Sequence, residues 1–248
     1  MNYSQSKIDN SNSTGIVSGV KYVGGLIGQC HYYSNTTNSH ATGNVSGMED
    51  IGGLIGYARS FCKVTDTSAT GSVSGNKNVG GLIGEISNET IIANALARGV
   101  ITGGQNTGGL VGFAYTSSKI TNANVTGNVS GDGNVGGLVG FTSHYVAISN
   151  ANATGSVSGD GNVGGLVGYS YWYSNITTSS ATGNVIGGTL GGENTGGLVG
   201  YSYWYSSIVD SFATGIVSGV ENVGGLVGES SGDSTITDSY ATGYVTGA

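Results

Sequence analysis

The chain has 248 residues, with 49 Gly, no Pro and only 8 % charged side chains. Fourteen acids against seven bases leave a net charge of −7. That excludes a nucleic-acid binder built on a basic stripe and a protein held by charge on anionic lipid. No apolar run approaches the ~20 residues of a membrane span, so no membrane insertion is expected. Residues 1–14 are polar and lack the apolar core of a secretion signal, so the chain reads as a mature or excised piece.

Internal periodicity organises the rest. The string Gly-Gly-Leu-Ile/Val-Gly begins at Gly24, Gly52, Gly80, Gly108, Gly136, Gly164, Gly196 and Gly224. The step is 28 residues throughout, except for one of 32, whose four extra residues are placed near Gly188–Gly191. Positions within a unit are counted below from the first Gly of this string as zero.

In chain order, each unit first offers a strand around Val135-Gly-Gly-Leu138-Val139-Gly. Strict alternation would send Leu138 and Val139 to opposite faces. A corner at the Gly pair would turn both inward; otherwise one apolar ladder lies outside as an interface. Positions five to ten follow and hold 17 of the 21 aromatic residues. Position six is small or apolar (Cys30, Ala58, Ile86, Ala114, Thr142, Ser170), so positions five, seven and nine are expected to face outward. A further strand starts at an aliphatic column (Ile8, Val64, Ile92, Ile120, Ile148, Ile176, Ile208, Ile236). Two residues later Asp66, Asn94, Asn122, Asn150, Asp210 and Asp238 suit a turn, because such side chains bond their own backbone. The unit closes on Ala-Thr-Gly-x-Val-Ser-Gly. In residues 41–47 this reads as one strand, with Ala41, Gly43, Val45 and Gly47 inward and Thr42, Asn44 and Ser46 outward.

A 28-residue unit of short strands cannot bury a core alone, but stacked units can, with like residues aligned in ladders. The expected fold is all-β: a parallel β-solenoid of about nine coils, one domain over residues 1–248, open at both ends and roughly 40 Å long at one strand spacing per coil. A β-sandwich is the structural alternative, and it leaves the unbroken register unexplained. Open strand edges would allow self-association end to end, or mark a piece cut from a longer array. Cys30 and Cys62 lie on adjacent coils but four positions apart. An extended strand would hold them ~13 Å apart, so only a tight turn between positions six and ten would allow a bridge.

Two surfaces are candidates for function. Tyr-Ser-Tyr-Trp-Tyr-Ser occurs twice, placing Tyr169, Tyr171, Trp172 and Tyr173 on one coil and Tyr201, Tyr203, Trp204 and Tyr205 on the next. Stacked, they form an aromatic edge able to bind glycan or a cell-surface protein, or merely to brace the coil edge. The second is the column Thr14, Thr42, Thr70, Thr126, Thr154, Thr182, Thr214 and Thr242, broken once by Arg98. A flat hydroxyl and methyl array is what ice binding needs, yet its neighbouring column is irregular (Ile16, Asn44, Val100, Tyr244), and Thr is in any case a good strand residue.

Catalytic chemistry finds less support. Asp210 and Asp238 should stack one spacing apart, where like charges perturb each other, but turn-making explains their column better. Asp132 and Asp160, each followed by Gly-Asn, do not have the spacing of a calcium loop. His31, His40 and His144 fall at different positions. No metal, cofactor or catalytic set is assigned.

The core Gly-Leu-Ile/Val-Gly at 25–28, 53–56, 81–84, 109–112, 137–140, 165–168, 197–200 and 225–228 resembles the GLUG motif. The flanking Ala-Thr-Gly-x-Val-Ser-Gly is similar to the wider repeat around that motif. GLUG repeats occur as passenger or stalk segments of large bacterial surface proteins, including adhesin-like proteins and immunoglobulin A peptidases. The resemblance therefore implies an extracellular, bacterial-surface segment with a structural or adhesive role, and carries over no catalytic residue. The functional expectation is a non-enzymatic adhesin or stalk whose aromatic edge binds glycan or protein. An ice-binding solenoid, a self-assembling filament subunit and a polysaccharide-cleaving enzyme are the alternatives.

Overall fold

The computed structural model describes residues 5–188 and 194–247, and among them every regular element is a strand. The four extra residues of the long step lie largely outside that range. The chain winds as a parallel β-solenoid of eight to nine coils, each contributing to four sheets that run the length of the rod. One coil shows the pattern: Asn134–Gly136 enters the first sheet, Val139–Ser143 the second, Ala147–Ala153 the third and Val157–Gly159 the fourth. Like residues pair with like, as in Val135↔Val163, Val139↔Val167, Ile148↔Ile176 and Val157↔Val185.

The Gly pair is a corner. Leu138 and Val139 are both fully buried. Their amides share one acceptor, the Leu166 carbonyl of the next coil, at 2.8 and 3.0 Å. No side chain fits at the bend: a Cβ on Gly136 would lie 1.9 Å from the Val139 carbonyl oxygen, and one on Gly137 2.0 Å from that of Gly165. The expected strand through this string is therefore two strands in different sheets.

The segment 41–47 is corrected in the same way. Ala41 ends the short strand His40–Ala41 of the third sheet, and Val45–Ser46 belongs to the fourth, so Thr42-Gly-Asn44 is a corner. The inward set Ala41, Gly43 and Val45 and the outward Thr42 and Asn44 are as expected, because alternation of facing survives a bend. The Gly is again required by space: a Cβ at Gly43 would meet the Gly15 carbonyl oxygen at 1.8 Å.

Two apolar strips fill the rod. The larger, between the second and third sheets, contains Leu138, Val139, Ile148, Ala151 and Ala153 and their equivalents; the smaller, between the first and fourth, contains Val135 and Val157. Each fully buried aliphatic side chain contributes about 1.5–3 kcal/mol. A ladder of amides, buried at Asn78, Asn106, Asn162 and Asn194, runs beside the smaller strip. Asn222 donates to Asn194, Asn194 to Asn162, Asn162 to Asn134, Asn134 to Asn106 and Asn106 to Asn78, all at 2.8–2.9 Å. Each amide supplies the next with its partner, so none is left unsatisfied inside.

Cys30 and Cys62 are buried and joined in a disulfide, with Cα atoms 6.2 Å apart. The turn between positions six and ten is tight enough to allow it. Closing a loop of this length stabilises by about 3–4 kcal/mol through the unfolded chain.

A candidate aromatic edge

The turn that joins the second sheet to the third makes the edge. Its two central residues, positions eight and nine, both adopt left-handed backbone: Tyr32 and Tyr33, Ser60 and Phe61, His144 and Tyr145, Trp172 and Tyr173, Trp204 and Tyr205. Outside glycine this conformation costs roughly 1–2 kcal/mol per residue. Neighbouring coils hold it in place, since Tyr173 donates its amide to the Trp204 carbonyl at 3.0 Å and Tyr145 to the Trp172 carbonyl at 3.1 Å. Below the turn a buried hydroxyl ties it down: Ser174 donates to the Tyr171 carbonyl at 2.8 Å, and Ser206 to that of Tyr203 at 2.9 Å. Two successive left-handed residues carry position eight outward along with five, seven and nine.

The eight predicted aromatic residues come together on this edge. Position five stacks Phe113, Phe141, Tyr169 and Tyr201 with centroids 4.9–5.1 Å apart. Position nine stacks Tyr145, Tyr173 and Tyr205 at 5.0 Å, and position seven pairs Tyr171 with Tyr203 at 5.8 Å. These columns consume ring faces, so they brace the coil and offer solvent mainly ring edges and hydroxyls. The Asp233 charge beside Tyr205 raises the pKa of that phenol, which closes its column.

Trp172 departs from the columns. Trp204 lies almost parallel to Tyr171 and Tyr203, at 15° and 19°. Trp172 stands across them, at 68° to Tyr171 and 77° to Trp204. Stacked rings lie across the rod, so the plane of Trp172 runs along it. His144 packs beside it at 4.7 Å. The half-buried indole is thus held from two sides on a surface with little charge.

The threonine column lies at the corner after the third sheet. Thr14, Thr42, Thr70, Thr126, Thr154, Thr182, Thr214 and Thr242 are all exposed. The column beside it is exposed too, and mixes Ile16, Val100, Ile216 and Tyr244 with asparagines. Some of those asparagines serve the backbone: Asn44 accepts from the Ser72 amide and Asn128 from the Ser156 amide.

Asp210 and Asp238 occupy the same left-handed kink on adjacent coils, which is the turn role of their column. Asp132 and Asp160 line one shallow groove with Ser130 and Ser158. Among the described residues no three His, Cys, Asp or Glu side chains converge as a metal site.

One constellation escaped the sequence reading. Asp50 takes the place of an asparagine at the end of the buried amide ladder, and Glu85 takes the place of a ring at position five. The Asn78 amide donates to both carboxylates at 2.8 Å. Burial first, and then the Asp50 charge, push Glu85 up to about 7; burial also raises Asp50. Lys77 acts against the shift of Glu85, and Glu49, itself paired with Lys21 and Lys77 at 3.0 Å, adds to it. Asp50 is out of type in a column of asparagines, and that was the available signal; Glu85 shares position five with Glu229 and did not stand out.

The family model for Glug, the GLUG motif, matches residues 19–46, 49–74, 103–130, 159–186, 191–218 and 219–246, about two thirds of the chain. The chain belongs to the GLUG-motif family. The two coils outside the matches, around Gly80 and Gly136, keep the same fold and register in this GLUG-repeat protein. No curated protein and no solved structure matches the chain.

Proposed function

We propose that this GLUG-repeat solenoid is a non-enzymatic segment of an extracellular bacterial surface protein, and that its aromatic edge binds the apolar face of a neutral sugar. The orientation of Trp172 carries the reading. A sugar ring needs an aromatic plane to lie on, and the stacked columns present edges, whereas an indole turned along the rod supplies a plane. Tyr171, with its ring 5.9 Å from the indole, and Tyr203 stacked on Tyr171 supply phenol hydroxyls on the same edge as hydrogen-bonding partners, and the rigid coils keep the ordering cost of binding low. A glycan array probed with the parent chain, Trp172→Ala and Trp204→Ala tests this. Signal lost in Trp172→Ala and reduced in Trp204→Ala supports it; unchanged signal in both removes the edge from the account.

The unbroken exposure of the threonine column supports a second reading, an ice-binding face. Thermal hysteresis and ice shaping at high protein concentration test it, and absence of both ends it.

A further inference from the structure

Charge is divided unevenly along the rod. Residues up to Lys119 hold all seven bases and six acids; beyond it there are eight acids and no Lys or Arg. Within the first half, Lys7 pairs with Asp9, and Lys21 and Lys77 both pair with Glu49. Lys63 and Lys119 make no ion pair among the described residues. Both begin strands of the third sheet in one column, Lys63↔Ile91↔Lys119, with exposed Ile91 between them. Beside this column Tyr33 and Phe61 stack at 4.6 Å and 1°, each about 40 % exposed. These residues line one groove together with Glu89 and Ser117.

We propose that this groove binds an acidic polysaccharide, a chain of uronate-type sugars lying along the rod. The site is separate from Trp172 and does not rest on the neutral-sugar reading. Its chemistry is amphipathic. Exposed Ile91, with the ring edges of the Phe61–Tyr33 stack beside it, forms an apolar strip for the C–H groups of the sugar chain, and the two ammonium groups stand at either end of Ile91 along the rod for carboxylates. The cations are two coils apart, roughly twice the ~4.8 Å strand spacing. Sugars in an extended chain advance by a comparable rise, so carboxylates on alternate sugars meet Lys63 and Lys119 in turn. An extended acidic peptide advances by ~3.4 Å per residue and falls out of step with the coils. Surface ammonium groups contribute modestly and are screened by salt, so binding is expected to weaken as ionic strength rises.

Titration calorimetry on the full chain at low salt decides, with oligogalacturonate, poly-glutamate of matched charge and a neutral maltooligosaccharide as probes. The expected result is binding of the uronate oligomer in preference to both others. Lys63→Gln with Lys119→Gln should weaken it about tenfold, the range of two surface charge contacts. Glu89→Gln, which removes a repelling carboxylate, should tighten it, and Trp172→Ala should leave it unchanged. Circular dichroism confirms that these surface variants fold. No uronate binding, an unaffected double lysine variant, or poly-glutamate bound as tightly as uronate each overturns the proposal. Failure of the Trp172 reading would appear with the neutral probes, not here.

Discussion

Position six points into the core in every coil but the last, where Ser230 is exposed, and its chemistry changes midway along the rod. In the first half it is Cys30, Ala58, Ile86 and Ala114; in the second it is Thr142, Ser170, Ser202 and Ser230. The hydroxyls of Thr142, Ser170 and Ser202 are buried and have no hydrogen-bond partner among the described residues. The outside changes in the opposite sense. The first half carries the bases, the disulfide and broken aromatic columns, with Glu85 and Glu89 set among them. The second half carries the stacked columns of Tyr and Phe, which run to Tyr201 and Tyr205 before Glu229 and Asp233 end them. Both halves bury the same aliphatic ladders, so the difference lies at position six and at the edge: the first half adds an apolar inner column, and the second adds a stacked aromatic edge. The edge that braces the second half is also the surface proposed to bind sugar, so bracing and binding draw on the same residues there.

Four variants probe that contrast, from the largest effect to the smallest. Replacing Cys30 and Cys62 with Ala should cost about 3–4 kcal/mol. Hydrogen exchange should show the loss confined to the first coils; a loss spread over the whole rod would mean that the halves are not separable. Tyr169→Ala removes an inner member of the position-five column and should cost about 2–3 kcal/mol in denaturant unfolding, from two stacking contacts and buried ring area. A smaller effect than that of an aromatic residue in the first half would reverse the comparison.

Glu85→Gln should stabilise. The folded-state value of about 7 lies above the ordinary 4.5. A folded carboxyl that holds its proton more tightly loses stability as pH rises from about 4.5 to 7, and the deficit persists above that. The variant should thus gain about 1–3 kcal/mol at pH 8 and close to nothing at pH 4, read from melting curves at both. Ser170→Ala should stabilise the second half by about 1 kcal/mol by removing an unpartnered buried hydroxyl. A destabilised variant would show that the inner column is not the weak side of that half.

Much of this was legible because a solenoid repeats its answer. Ala58, Ala114 and Ser170 at one position could only be an inward column, and the Tyr and Trp beside them could only be outward. The corners were harder. Strands and bends share the same inward–outward alternation, so Ala41 to Gly47 looked like one strand. The turn at positions eight and nine was hidden because residues such as Trp172 and Tyr173 rarely adopt left-handed backbone, and they are held there by inter-coil hydrogen bonds and by the buried hydroxyl that follows the turn. That hidden turn also decides the disulfide, since an extended path would separate Cys30 from Cys62. The Asp50–Glu85 pair needed two columns on different sheets to be brought together, which no single-column reading supplies.

The long step between Gly164 and Gly196 leaves no mark on the ladders. Asn194 reaches Asn162 at 2.8 Å and Tyr201 stacks on Tyr169 at 4.9 Å, as in coils without extra residues. The ladders hold their spacing across a step of 32 residues as they do across one of 28. The rod behaves as a ruler whose pitch is set inside: the number of residues between two graduations can change by four without moving the next graduation.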